Sequence, residues 1–159
     1  MSTAKLNNRF TLPEYREIPD VGLYLDQIVK YINSFLQDQP QMQVTGSMLS
    51  NYVKMKLVPK AVRKMYSRDQ ICMLFFIVLT KRALSIEQTG RALSLLNSED
   101  DTKSFYERFR SALLLRLTQL PADQNKEEDQ EDPLLSSITS AVAHCMYLDQ
   151  YFREVIQEA

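Results

Sequence analysis

Residues 44–68 decide the fold, and they read VTGSMLSNYVKMKLVPKAVRKMYSR. The first half has apolar residues three and four positions apart, which are neighbours on one face of a helix. We expect this helix to open at Thr45 and to end before Pro59, because the residue before a proline is restricted to extended backbone. The residues between Pro59 and Tyr66 then leave room for a small hairpin or an irregular wing.

Basic side chains are concentrated in this part of the chain. Residues 44–68 carry six positive charges and no acid. Over residues 44–92 the local charge is +7, so the remainder carries −8 within a total of −1. A local cationic surface attracts a DNA duplex, and salt screens that attraction over about 10 Å at 0.1 M. The pattern favours nucleic-acid binding, although a solvated helix pair would show the same basic run.

Helix signals flank the basic residues on both sides. Apolar residues at helical spacing predict a first helix that opens after an N-cap at Asp20 and ends near Asp38. Residues 67–70 and 85–88 both have the Ser-x-x-Gln spacing of a capping box, and an apolar stripe follows each. Three glycines and no tryptophan disfavour folds that need many tight turns. We therefore expect a mainly α chain.

Composition changes along the chain predict its organisation. Two prolines and no clear period mark the beginning as an arm, whereas residues 122–132 hold six acids, one lysine and no large apolar residue. Such a stretch cannot offset its ordering entropy by burial. The expected segments are an N-terminal arm (1–19), a helical domain (20–98), a helical extension (99–121), an acidic flexible linker (122–133) and a C-terminal amphipathic helix (134–159).

Three short motifs carry a resemblance to a known family. Leu57-Val58-Pro59, Tyr66-Ser67 and Leu84-Ser85-Ile86-Glu87 occur in the order of a recognition-helix end, a post-wing pair and a second helix start. In this respect residues 44–96 resemble the N-terminal DNA-binding domain of MerR-type regulators. The resemblance implies a winged helix-turn-helix core over residues 20–98, with the additional helices following it.

The whole chain also resembles a bacterial family built on a domain of unknown function. The motifs are Leu-Tyr-Leu-Asp-Gln at residues 23–27 and Asn-Tyr-Val-Lys at residues 51–54. This second resemblance names a family without naming an activity.

The MerR resemblance and the basic run together imply a set of DNA-contacting residues. Hydroxyls and lysines suit phosphate oxygens, while an arginine can read guanine through two hydrogen bonds. The tyrosine on the helix fits a core position equally well. The expected DNA-binding residues are Thr45, Ser47, Ser50, Tyr52, Lys54, Lys56, Lys60, Arg63, Lys64, Tyr66 and Arg68.

The sequence shows no pattern typical of a catalytic site or a metal site. His144 is the only histidine, and with Cys145 beside it the chain offers too few ligands for zinc. Three glycines exclude a glycine-rich phosphate loop. Cys72 and Cys145 lie on apolar helices, and we expect both to be buried, reduced thiols. We expect no catalytic site, no cofactor and no metal.

The expected function is transcriptional regulation, with the helix at residues 45–56 in the major groove of double-stranded DNA and the connector at residues 60–68 on the backbone. The alternative is a helical protein–protein adaptor on a winged-helix scaffold. Helices at 102–120 and 134–156 either form a homodimer or fold back on the core. The longest apolar run has nine residues, against roughly 20 for a membrane span, so we expect a cytoplasmic protein.

Overall fold

Six α-helices form in residues 10–99, 101–119 and 132–158, which are the residues that the computed structural model describes. Short 3-10 turns lie at Tyr15–Glu17 and Pro40–Met42. The expected mainly α class is confirmed. The helices are α1 (Leu25–Phe35), α2 (Gly46–Lys54), α3 (Arg68–Thr80), α4 (Ile86–Glu99), α5 (Thr102–Gln119) and α6 (Pro133–Glu158).

Helix α3 is the centre of the core. Its residues from Gln70 to Thr80 are buried except for Met73, which is half-buried. The Phe76 ring lies 5.1 Å from the ring of Phe105 and 5.0 Å from that of Phe109, both on α5. A helix that is apolar around its whole circumference has to be covered on all sides. Helices α1, α4, α5 and α6 contact α3 for that reason.

The helix starts that the capping spacings predict are confirmed. The Ser67 hydroxyl accepts from the Gln70 N–H at 3.3 Å, and the Gln70 side-chain carbonyl accepts from the Ser67 N–H at 2.7 Å. Ser85 and Gln88 exchange the equivalent pair at 3.1 and 2.9 Å. These reciprocal bonds satisfy amide groups that a helix start otherwise leaves open.

The predicted start of the first helix at Asp20 is wrong. Leu23 exchanges two backbone hydrogen bonds with Tyr66, at 3.1 and 2.8 Å, which keeps the chain before Tyr24 out of a helix. Gly22 has a φ of +84°, and a side chain there would approach Met65 to 3.0 Å. Helix α1 therefore begins only at Leu25, after this pairing has ended.

The connector forms a two-residue hairpin rather than a wing built from strands. Val62 and Met65 exchange backbone hydrogen bonds at 3.1 and 3.0 Å, with Arg63 and Lys64 at the turn. We call residues 62–65 the tip hairpin. Too few residues separate Pro59 from α3 for longer pairing, and within the described ranges only isolated bridges occur.

Helices α5 and α6 pack against each other and against α3. The Arg116 guanidinium on α5 donates to the hydroxyls of Thr139 and Ser136 on α6 at 2.8 and 2.6 Å. The buried apolar side chains of these helices pack inside the chain, which agrees with the second expected arrangement, while Leu115 on α5 is 44% exposed. Among the described side chains of α6, the buried apolar ones are Leu135, Ile138, Val142, Ala143 and Met146.

The N-terminal arm packs on the core in its described part, residues 10–19. Leu12 and Ile18 are buried, and the Tyr106 hydroxyl donates to the Pro13 carbonyl at 2.6 Å. The Arg110 guanidinium donates to the Leu12 carbonyl at 2.8 Å. The predicted acidic linker lies almost entirely outside the described residues, as do residues 1–9.

Candidate nucleic-acid interface

Helix α2 presents one polar face to solvent. Its start is capped by the Thr45 hydroxyl, which accepts from the Met48 N–H at 3.3 Å. Ser47, Asn51 and Lys54 are exposed, and their spacing places them on one side of the helix. Ser50 on the flank of this face is half-buried. Sequence analysis missed Asn51, although its position four residues after Ser47 was the available signal.

Helix α2 ends at Lys54, two residues before the end of the helix predicted over residues 45–56. The residues that follow it form a Schellman motif, in which Lys56 has the left-handed position. The Leu57 N–H donates to the Tyr52 carbonyl at 3.1 Å, and the Lys56 N–H donates to the Val53 carbonyl at 3.0 Å. Lys56 has a φ of +62°, the left-handed conformation that glycine usually supplies in this motif. A lysine therefore occupies a position where its backbone is strained and its side chain is exposed.

The turn of the tip hairpin also has basic residues in left-handed backbone. Arg63 and Lys64 have φ values of +53° and +64°, and both are exposed. Two-residue hairpins with two positive φ values favour Asn-Gly or Gly-Gly, since other residues cost roughly 1–2 kcal/mol each in this conformation. Two adjacent basic side chains project from a turn whose backbone would favour smaller residues.

Gln70 fixes the loop before the tip hairpin to the start of α3. Its side-chain amide donates to the carbonyls of Pro59 and Lys60, each at 3.0 Å, while its carbonyl caps α3. The pairing of Leu23 with Tyr66 holds the other end of the hairpin. The basic residues thus project from a segment anchored on both sides.

Three of the expected contact residues serve mainly in packing. Tyr52 and Tyr66 are each only 8% exposed, and burial raises the pKa of Tyr52. The Arg68 guanidinium donates to the Ile18 carbonyl at 2.7 Å and lies 5.1 Å from the centre of the Tyr15 ring. Of the three, the Arg68 side chain attaches the start of α3 to the arm.

The local charge of +7 is spread over different surfaces. Arg82 pairs with Asp149 on α6, and Arg91 pairs with Glu87 at 2.9 Å. None of the ion pairs in the described residues involves the cations of residues 54–64, which we call the basic segment. Its exposed cations are Lys54, Lys56, Lys60, Arg63 and Lys64.

Two further expectations concern thiols and membranes. Cys72 and Cys145 are both free, but only Cys72 is buried, whereas Cys145 is half-buried. Burial raises the pKa of the Cys72 thiol.

Across the described helices, none combines the length and apolar character needed to cross a bilayer. The described residues contain no group of three or more His, Cys, Asp or Glu placed to hold a metal ion.

A family model for a domain of unknown function, DUF1836, matches residues 13–109. The chain belongs to the DUF1836 family. The match runs from the arm into α5, so the DUF1836 region contains α2, the tip hairpin and Gln70. This match confirms the expected domain-of-unknown-function family. It does not show a MerR-like segment. No curated protein and no solved structure matches the chain.

Proposed function

We propose that the chain is a DNA-binding protein that acts in transcriptional regulation. Helix α2 enters the major groove with Ser47, Asn51 and Lys54, and the tip hairpin holds the neighbouring phosphates. A MerR-like winged helix-turn-helix, with the tip hairpin as a reduced wing, is part of this proposal.

The observation that carries the proposal is the identity of the strained residues. In the described chain the non-glycine residues with left-handed backbone are Lys56, Arg63 and Lys64. All are basic and all lie in the basic segment. Strained backbone clusters at functional sites, where the surrounding structure holds it in place. Exposed cations free of ion pairs are suited to phosphate oxygens.

The salt dependence of DNA affinity tests the proposal quantitatively. If all five exposed cations of the basic segment contact phosphates, log Kobs falls with log salt with a slope of about −4.5. Affinity then drops about 500-fold between 50 and 200 mM salt. Fluorescence anisotropy with labelled fragments of the source genome, including the upstream region of the coding sequence, measures this slope and any preference among fragments.

Charge-reversal variants locate the interface. Lys54→Glu and Arg63→Glu should each weaken binding by about tenfold and flatten the salt slope by at least about one. Lys30→Glu, an exposed lysine on α1 outside the basic segment, is the matched control and should change little. If neither reversal lowers affinity more than the control does, the proposed interface is wrong.

A helical adaptor is the alternative that the same assay distinguishes. The exposed apolar residues Ile86 and Leu95 on α4, which are 50% and 57% exposed, favour a protein contact. DNA binding without fragment preference, together with one stoichiometric protein partner in a nuclease-treated pull-down, would favour the adaptor. A homodimer remains part of the DNA proposal, because two-fold sites require two-fold proteins.

A further inference from the structure

A groove lies between α4 and the segment that follows α2. Its cavity volume is about 570 Å³, within the roughly 300–1,000 Å³ typical of small-molecule sites. Gly90 forms part of its wall, where an added Cβ would lie 3.1 Å from a methyl carbon of Leu57. The absence of a side chain at Gly90 therefore lets the two segments approach and sets the width of the groove.

The walls of the groove are mostly apolar. Val53, Leu57, Met73 and Leu93 contribute aliphatic and thioether surface from three helices and the loop. Such a lining favours an apolar ligand body, because burying it releases water from both surfaces.

Asn97 supplies a polar group inside this apolar lining. Its side-chain carbonyl oxygen is buried and has no hydrogen-bond partner in the described residues. Buried acceptors are nearly always paired, because an unpaired one loses its hydration without replacement. A ligand with one N–H or O–H donor would satisfy it.

Two lysines border the same groove. Lys56 and Lys60 are both exposed and form no ion pair in the described part of the chain. The Lys60 carbonyl accepts from the Gln70 side-chain amide at 3.0 Å, which ties its backbone to the start of α3. A carboxylate at the edge of the groove would meet two positive charges.

We propose that this groove binds a small amphipathic acid, which has an apolar body, one N–H or O–H donor for Asn97 and a carboxylate for Lys56 and Lys60. Binding does not depend on DNA, so this inference stands or falls separately from the proposed function. The acid shares two cations with the basic segment, so occupancy of the groove and phosphate contact would compete for them.

Indole-3-acetate is the probe, because it combines an apolar ring, one N–H and a carboxylate. Titration into the full ¹⁵N-labelled chain should shift the backbone amides of Leu57, Gly90 and Asn97 in a saturable manner. 1-Naphthaleneacetate lacks the N–H, and 3-methylindole lacks the carboxylate. We expect each of these companions to bind about fivefold more weakly, the effect of losing one favourable polar contact.

Two variants assign the polar contacts. Asn97→Leu should abolish the preference for indole-3-acetate over 1-naphthaleneacetate, and Lys60→Gln should weaken both acids without affecting 3-methylindole. Lys30→Gln on α1 is the control and should bind all three probes as the parent does. Lys60 is exposed, so its variant keeps the test valid even if Asn97→Leu fails to fold.

Several outcomes would overturn the proposal. These are the absence of saturable shifts at millimolar probe, shifts located away from the groove, or an unchanged preference in a folded Asn97→Leu variant. Shifts at Leu57 and Gly90 that depend on protein concentration without probe would show that a second copy fills the groove, which also overturns it.

Discussion

Gln70→Met tests whether one buried amide holds the basic segment in place. The Gln70 side chain makes three hydrogen bonds, to the Ser67 N–H and to the carbonyls of Pro59 and Lys60, at 2.7, 3.0 and 3.0 Å. Methionine has a similar length and no equivalent hydrogen-bonding groups. At about 1 kcal/mol for each net hydrogen bond, the variant should lose about 3 kcal/mol of unfolding free energy.

Urea denaturation followed by circular dichroism measures this loss. With a slope of about 2 kcal/mol per molar urea, the midpoint should fall by about 1.5 M. Amide exchange at Val62 and Met65 should also accelerate, because the loop before the tip hairpin is released from α3.

Gln88→Met is the matched control for this prediction. Gln88 makes the same cap bond at α4, at 2.9 Å, but it is exposed. Its loss should cost less than about 1 kcal/mol. Equal destabilisation by the two variants, or unchanged exchange at the tip hairpin, would refute the anchoring role of Gln70.

Two further predictions concern the turn of the tip hairpin and the arm. Replacing Arg63 by Asn and Lys64 by Gly together should raise stability by about 1 kcal/mol, or roughly 2–4 °C in Tm, because these residues suit positive φ while the added glycine loses more backbone entropy on folding. The same variant should weaken DNA binding, and anisotropy that shows unchanged affinity would contradict the proposed interface. The hydrogen bond from the Tyr15 hydroxyl to Asp69, at 2.7 Å, is the main cause that raises the pKa of Tyr15 to about 12. Above pH 10 the unfolded chain loses this proton before the folded chain does, so the stability that the bond contributes is lost as the pH rises towards 12. The stability difference between the parent and Tyr15→Phe should therefore shrink from pH 9 to pH 11.5 in urea titrations, and a constant difference would exclude this linkage.

Local spacing in the sequence was sufficient for the helix starts of α3 and α4. Ser-x-x-Gln places two side chains within reach of two amide groups, so the signal is contained in four residues. The apolar stretch that follows Gln70 likewise indicated a buried helix. These features depend on residues that are close in the sequence, so the sequence alone is enough to predict them.

The start of α1 and the tip hairpin depend on partners far along the chain. Leu23 is held extended by Tyr66, 43 positions later. No local pattern around Asp20 indicates that pairing. Arg63-Lys64 lacks the Asn or Gly that normally marks a two-residue turn. The groove at Asn97 was also missed, because it exists only when the loop after α2 lies on α4.

The packing of the arm has a consequence for synthesis on the ribosome. Leu12 is buried in the finished fold, and its carbonyl accepts from Arg110, 98 positions later. At about 5–20 residues per second, translation leaves Leu12 without that partner for about 5–20 s. During this interval the apolar side chains of the arm lack their partner surface on α5 and are available to chaperones.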